Sequence, residues 1–173
     1  KTEYSKVHLP PTKIILTGGG RVANGAKEVL DGMQIAYVSP PDFLEKSFDH
    51  PVYTQLRSKD YHYRKSDGKF DGDEFYRAPE DYKSDFLKYT TKADLLIAAA
   101  YWNPKAPVLF TKEDMRKEDF KISVIADISC DIEGSIPSTK KPTTIDDPVY
   151  DYNPWEDRIE IPYSGRKFIS VMA

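Results

Sequence analysis

The chain has 173 residues, enough for one domain that buries roughly 70% of its unfolded-state surface and needs no staples. Its net charge of −3 is mixed along the sequence, with no basic stripe and no acidic tail, so nothing points to a nucleic-acid partner. Cys130 is the only cysteine, which rules out an internal disulfide and makes a reducing, cytoplasmic setting the expectation.

The opening stretch, KTEYSKVHLPP, lacks an apolar signal-peptide core. It starts at Lys and the chain stops inside FISVMA, so both ends read as cuts in something longer. The first predicted strand is KIILT (13–17), followed by a glycine turn and an amphipathic helix with Val22, Ala26, Val29, Leu30 and Met33 on one face. QIAYVS (34–39) reads as a second strand. Residues 40–77 are polar, aromatic and irregular, with DGKFDGDEF as a surface turn or small hairpin. A helix is predicted over 78–89, with Pro79 in its first turn. Then come a strand at DLLIAAAY (94–101), a helix start at TKEDMRKED (111–119) capped by Thr111, and a strand at KISVIADIS (121–129). Five prolines between 133 and 164 predict a long ordered loop before the last strand, KFISVMA (167–173). The longest apolar run, LLIAAAYW (95–102), is far short of the roughly 20 residues needed to cross a bilayer, so no membrane partner is expected. Strands that are apolar at consecutive positions are buried on both faces. The fold class predicted is therefore α/β, a Rossmann-like doubly wound parallel sheet in a single domain.

The glycines supply the first chemical signal. In LTGGGRVANGAKEVL (16–30) a strand, a glycine turn and a helix N-terminus follow one another, and bare N–H groups at a helix start attract an anion. Gly18 permits the tight turn, and Gly20 lets the backbone approach a pyrophosphate. Ala23 takes the third position of G-x-G-x-x-G/A, where a small residue lets helix and sheet pack closely. Gly25 is assigned the same packing purpose. A turn that only joins strand to helix is the alternative. Arg21 contacts a phosphate or stacks on adenine, or else is a solvated residue at the helix start. The acid that reads the ribose hydroxyls is expected at the end of the second strand, where Ser39 stands, with Asp42 beyond two prolines. A missing acid leans toward NADP over NAD, although no arginine sits beside Ser39.

The second signal follows the strand at 121–129. Asp127, Ser129, Cys130 and Asp131 reach the carboxyl edge of the sheet, where ligands of parallel α/β folds bind. A carboxylate there fixes a nicotinamide amide or orients a substrate amine, unless Asp131 is merely a loop cap. Cys130 reads as a buried, inert thiol, and His8, His50 and His62 lack metal-ligand spacing, so no metal is assigned. YHYRK (61–65) reads as a wet aromatic-basic loop rather than an anion site.

Three stretches together, LTGGGRVANGAKEVL (16–30), YTTKADLLIAAAYW (89–102) and IADISCDIEGSI…TTIDDPVYDYNP (125–154), resemble the lysine–ketoglutarate reductase part of bifunctional aminoadipic semialdehyde synthases. More distantly they resemble lysine-forming saccharopine dehydrogenases and the alanine dehydrogenase/transhydrogenase group. The resemblance implies an NAD(P)-binding Rossmann domain spanning 1–173 of an oxidoreductase acting on the CH–NH group of amino acids. In the family, lysine and 2-oxoglutarate are joined to give saccharopine, or the reverse. By motif, Gly18, Gly20, Arg21 and Val22 would cradle the pyrophosphate, and Ala99, Ala100 and Tyr101 would border adenosine and the cleft. Asp131 matches an acid near the nicotinamide, in a supporting catalytic role. The family's catalytic lysine and histidine belong to a domain before the glycine loop, and only 17 residues precede Gly18. The expectation is a piece that binds cofactor, weakly and with a homodimer open to it, without turning over substrate. An alanine-dehydrogenase-like enzyme and a non-catalytic nucleotide-sensing module are the alternatives.

Overall fold

The structure, a computed structural model, describes residues 4–165 and 167–173. In chain order it runs β1 (Lys13–Thr17), α1 (Arg21–Gly32), β2 (Ala36–Tyr37), α2 (Pro40–Glu45), β3 (Val52–Leu56), α3 (Ser58–Tyr61), β4 (His62–Arg64) and α4 (Gly72–Arg77). It continues through β5 (Tyr82–Ser84), α5 (Leu87–Thr90), β6 (Leu95–Ala98), α6 (Lys112–Met115), β7 (Val124–Asp127), β8 (Tyr150–Asn153), β9 (Arg158–Glu160) and β10 (Ile169–Met172). Eight strands form one sheet in the order β2-β3-β1-β6-β7-β10-β8-β9, while β4 and β5 pair separately. From β2 to β10 the neighbours are parallel; β8 and β9 extend the sheet antiparallel.

The consecutive apolar residues of β1 are explained by burial on both faces. Ile15 packs with Leu96, Ile125 and Val171 on one side, and Ile14 and Leu16 pack with Ala23, Leu30 and Tyr53 on the other. Each such aliphatic side chain contributes about 2 kcal/mol on leaving water. The sheet is thus Rossmann-like and doubly wound, with a short antiparallel annex at one edge.

Several elements differ from the sequence reading. The helix face of α1 is rotated: Ala23 and Leu30 are buried, Ala26 and Met33 half-buried, and Val22 and Val29 exposed. The close seat of Ala23 against the sheet sets that rotation. A Cβ placed on Gly25 would meet nothing within 4 Å, so this glycine serves no close packing. QIAYVS yields only the two-residue β2, exposed at the sheet edge. The place beside β1 belongs instead to VYTQL, β3, inside the stretch expected to be irregular. Its polar atoms hid it, yet most are paired inside the fold. The Tyr53 hydroxyl donates to Asp31 Oδ1 at 2.8 Å and Gln55 Nε2 donates to the Gly18 carbonyl at 2.9 Å.

The helix predicted over 78–89 does not form. The segment makes a single 3-10 turn at Pro79–Asp81, then β5, then α5. Tyr82 is buried with its ring 5.0 Å from Phe75, and β5 pairs with β4, so tertiary packing overrides local propensity. Thr111 does cap a helix, accepting from the Asp114 N–H at 3.2 Å, but α6 lasts one turn. The proline-rich stretch carries the β8–β9 hairpin within otherwise irregular chain.

Candidate functional site

At the carboxyl ends of β1 and β6 two hollows, of about 450 and 550 Å³, share Val22 and Ala99–Trp102 as a common border. From β1 the chain crosses one way to β3 and later the other way to β6, so this crevice is the topological switch point where α/β sheets bind ligands.

The glycine loop is fastened from both sides. The Gly18 N–H donates to the Leu56 carbonyl at 2.8 Å, tying the loop to β3. On the β6 side the Ala99 N–H donates to the buried Thr17 Oγ1 at 3.2 Å. Gly18 has φ +98°, and a Cβ there would meet the Ala99 carbonyl oxygen at 2.7 Å, so conformation and space both require glycine. Gly20 differs. Its φ of −87° suits any residue, and a Cβ there would meet nothing within 4 Å. The space above it opens into the first hollow. A backbone kept bare over open space, at the start of the twelve-residue α1, fits a diphosphate held by the unpaired N–H groups of the first turn.

The expected site residues divide clearly. Gly18, Gly20 and Arg21 line the first hollow, Asp131 the second, and Val22, Ala99, Ala100 and Tyr101 both. Tyr101 is 79% exposed at the junction. Ser39 lines neither hollow; its Oγ accepts from the Asp42 N–H at 3.3 Å and caps α2. The strand next to β1 is β3, and the position that follows it is Arg57. That side chain is exposed, with its Nε 3.1 Å from where a Gly19 Cβ would stand. Among the described residues neither the Arg57 nor the Arg21 side chain forms an ion pair, although the Arg57 N–H donates to Asp60 Oδ2 at 2.7 Å.

The β7 edge also divides. Asp127 does not reach the cleft: it is 2% exposed and accepts from Ser129 N–H (3.1 Å), Ser129 Oγ (2.6 Å), Cys130 N–H (3.3 Å) and Thr139 Oγ1 (2.6 Å). It holds the loop in place. Cys130 is half-buried rather than buried, with φ +51°. Asp131 is exposed on the wall of the second hollow beside Ser129 and Ile132. Among the described residues no group of three His, Cys, Asp or Glu side chains is placed to hold a metal ion.

Sequence reasoning missed the opposite wall. Ser58, Tyr61, His62, Phe75, Tyr76 and Pro79 line the first hollow. The stretch read as a wet loop is dry at its start: Tyr61 is 4% and His62 7% exposed. Burial pushes the His62 pKa down to about 4. The signal available was VYTQL running into Ser58-Lys-Asp, a strand followed at once by a helix start.

Sheet order, the bare glycine cradle in the first hollow and the second hollow beyond their shared border define a dinucleotide-binding α/β domain. Residues 2–154 match the family described as alanine dehydrogenase/PNT, C-terminal domain. The chain belongs to that family, whose members bind nicotinamide dinucleotides in amino-acid oxidoreductases. It is 33% identical over 170 residues to the mouse protein named alpha-aminoadipic semialdehyde synthase, mitochondrial, an overlap covering 84% of this chain and 18% of that protein. A cattle protein of the same name is 32% identical, again over 84% of this chain and 18% of its own length. An Arabidopsis alpha-aminoadipic semialdehyde synthase is 29% identical over 164 residues, covering 83% and 15%. The chain therefore spans less than a fifth of the length of these relatives.

Proposed function

We propose that this chain is the NADP(H)-binding domain of an enzyme that reductively joins lysine to 2-oxoglutarate as saccharopine. The observation that carries the cofactor half is the open space over Gly20 in the first hollow, a cradle for a diphosphate beside the shared border that leads to the second hollow. When bound, the nicotinamide supplies hydride. The chain's own residues bind and orient it. The first-turn amides of α1 offset the diphosphate charge, Val22 and Ala99–Trp102 form the sill between the hollows, and the Asp131 carboxylate accepts from an amide or ammonium group in the second hollow. The Arg57 guanidinium, which has no ion pair among the described residues and stands just past β3, supplies the charge that a 2′-phosphate needs. General acid–base groups come from the rest of the protein.

The lysine half rests on the relatives and on the quoted motifs. Assay of the full-length protein with lysine plus 2-oxoglutarate, against ammonia plus pyruvate, tests it; turnover only with the second pair would overturn it. Cofactor binding with neither pair consumed would make the chain a nucleotide sensor. Titration with NADPH and NADH tests the Arg57 assignment. Wild type prefers NADPH, and Arg57→Ala loses about tenfold or more of that preference while NADH affinity stays put. The lone-cysteine argument for a reducing interior suits cytoplasm and mitochondrial matrix alike; the mouse and cattle relatives carry the word mitochondrial in their names, and cell fractionation decides.

A further inference from the structure

We propose that Lys140 and Asp157 are positioning residues for the Asp131 carboxylate, an external clamp that the β8–β9 hairpin and α6 set against the wall of the second hollow. This rests on the nicotinamide-dinucleotide reading above, with the nicotinamide amide as the partner of Asp131, and adds the residues that hold the acid in place.

The loop after β7 is strained on both sides of Asp131. Cys130 has φ +51° and Glu133 φ +54°, left-handed values that residues other than glycine rarely adopt. Such backbone persists only where its surroundings over-determine it. The turn from Asp131 to Gly134 moves as a unit: the Gly134 N–H donates to the Asp131 carbonyl at 2.8 Å, and a Cβ on Gly134 would meet the Asp131 Cβ at 2.6 Å. Whatever fixes Glu133 therefore fixes Asp131, two residues earlier on the same wall. Asp127 secures the base of the loop, through Ser129, Cys130 and Thr139. The turn itself is held from outside.

That hold comes from the antiparallel annex. Lys140 Nζ donates to Glu133 Oε1 at 2.9 Å and pairs with Asp157 Oδ1 at 2.9 Å. Asp157, between β8 and β9 with φ +50°, also accepts from Lys112 Nζ of α6 and from the Tyr152 hydroxyl, each at 2.7 Å. The hydrogen bonds from Lys112, Lys140 and Tyr152 keep its carboxyl well below the usual carboxylate range, so the clamp stays charged at ordinary pH. The other end is anchored in the sheet. The Lys140 N–H donates to Tyr150 Oη and the Tyr150 hydroxyl donates to the Ser138 carbonyl, both at 2.9 Å, and all four residues of β8 are buried. Isolated surface ion pairs add little, but the Lys140 side chain is only 15% exposed and bridges two carboxylates within a network. Lys140 and Asp157 line neither hollow, so any effect they have on a ligand passes through the turn.

The test is calorimetry on the full-length protein with two probes: NADPH, and adenosine 2′,5′-bisphosphate, which has no nicotinamide. Lys140→Met is expected to weaken NADPH binding about tenfold, the scale of one lost hydrogen bond, and leave the bisphosphate unchanged. Asp157→Asn loosens the clamp from the hairpin side and gives a smaller loss of the same kind, about threefold. Lys141→Met removes only the neighbouring ion pair with Asp147 and is expected to match wild type with both probes. Because the clamp acts through one carboxylate, Lys140→Met adds nothing to the loss already present in Asp131→Ala. Should Lys140→Met fail to fold, Asp157→Asn carries the same comparison. Unchanged NADPH affinity in Lys140→Met or in Asp131→Ala, an equal loss with both probes, an equal loss in Lys141→Met, or additive losses in the double variant would overturn the clamp while the cofactor reading stands. Wild type that binds neither probe rejects both.

Discussion

Two buried polar side chains, one beneath the loop after β7 and one on the wall of the first hollow, have opposite surroundings. Asp127, at the end of β7, is 2% exposed and accepts four hydrogen bonds. His62, at the start of β4, is 7% exposed, and its ring nitrogens make no well-formed hydrogen bond, with only the Ser58 backbone within weak reach. Equal burial therefore does not mean equal purpose. Where every partner is supplied by the chain, the group fixes a loop, here the one that presents Asp131. Where burial outweighs pairing, the group costs the fold stability as pH falls.

The largest way to break this comparison is Asp127→Ala. It strands the buried Thr139 hydroxyl and the donors of Ser129 and Cys130 together. We expect a loss of about 4 kcal/mol, since each bond to a charged acceptor is worth about 1.5–3 kcal/mol and such losses overlap. Urea titration of the 173-residue chain measures it. A loss under about 1 kcal/mol would mean that water replaces the carboxylate, and the loop would not need it.

The next test sharpens the other side. The His62 pKa is lowered to about 4 by burial, against an ordinary value of 6.5. Between those values the unfolded chain takes up a proton that the folded chain refuses, so stability falls as pH drops through the window and is intact above it. The slope is worth about 3 kcal/mol in all. His62→Phe should abolish it and raise stability near about pH 4.5 more than at about pH 7, because a phenyl ring takes up no proton in either the folded or the unfolded state. Parallel pH profiles for wild type and variant would show that the ring is solvated in solution.

The same contrast explains which parts of the molecule the sequence disclosed. The strands β1, β6, β7 and β10 are apolar at consecutive positions, and that pattern is local; at β1 both faces are covered, while at β7 and β10 one face leaves Val124 and Met172 exposed. The glycine loop is local too: Gly18, Gly20 and Ala23 are within six residues of one another, and geometry assigns each a separate task. Strand β3 was hidden because Tyr53 and Gln55 look like surface residues until Asp31 and the Gly18 carbonyl appear beside them. With β3 unseen, nothing in the sequence placed Arg57 beside the glycine loop. Nor does the sequence of residues 61–65 announce burial. His62 is dry only because Phe75, thirteen residues on, covers it, and that placement depends on β4 pairing with β5.

The smallest stability effect carries the sharpest functional one, and it comes from two glycines of one loop. Gly18→Ala forces a side chain onto φ +98° and within 2.7 Å of a backbone carbonyl, so we expect about 2 kcal/mol of lost stability, with cofactor binding lost only as the loop shifts. Gly20→Val enters open space at an ordinary φ and gives up a tolerable helix cap, a cost of about 1 kcal/mol or less. Its isopropyl group, however, fills the volume over which the diphosphate would lie, so NADPH binding should vanish from calorimetry while the melting profile stays close to wild type. The two variants thus separate what glycine does for the fold from what it does for the ligand. If Gly20→Val bound NADPH with unchanged affinity, the diphosphate would have to lie elsewhere, and the sill formed by Val22 and Ala99–Trp102 would no longer divide the cofactor into its two halves.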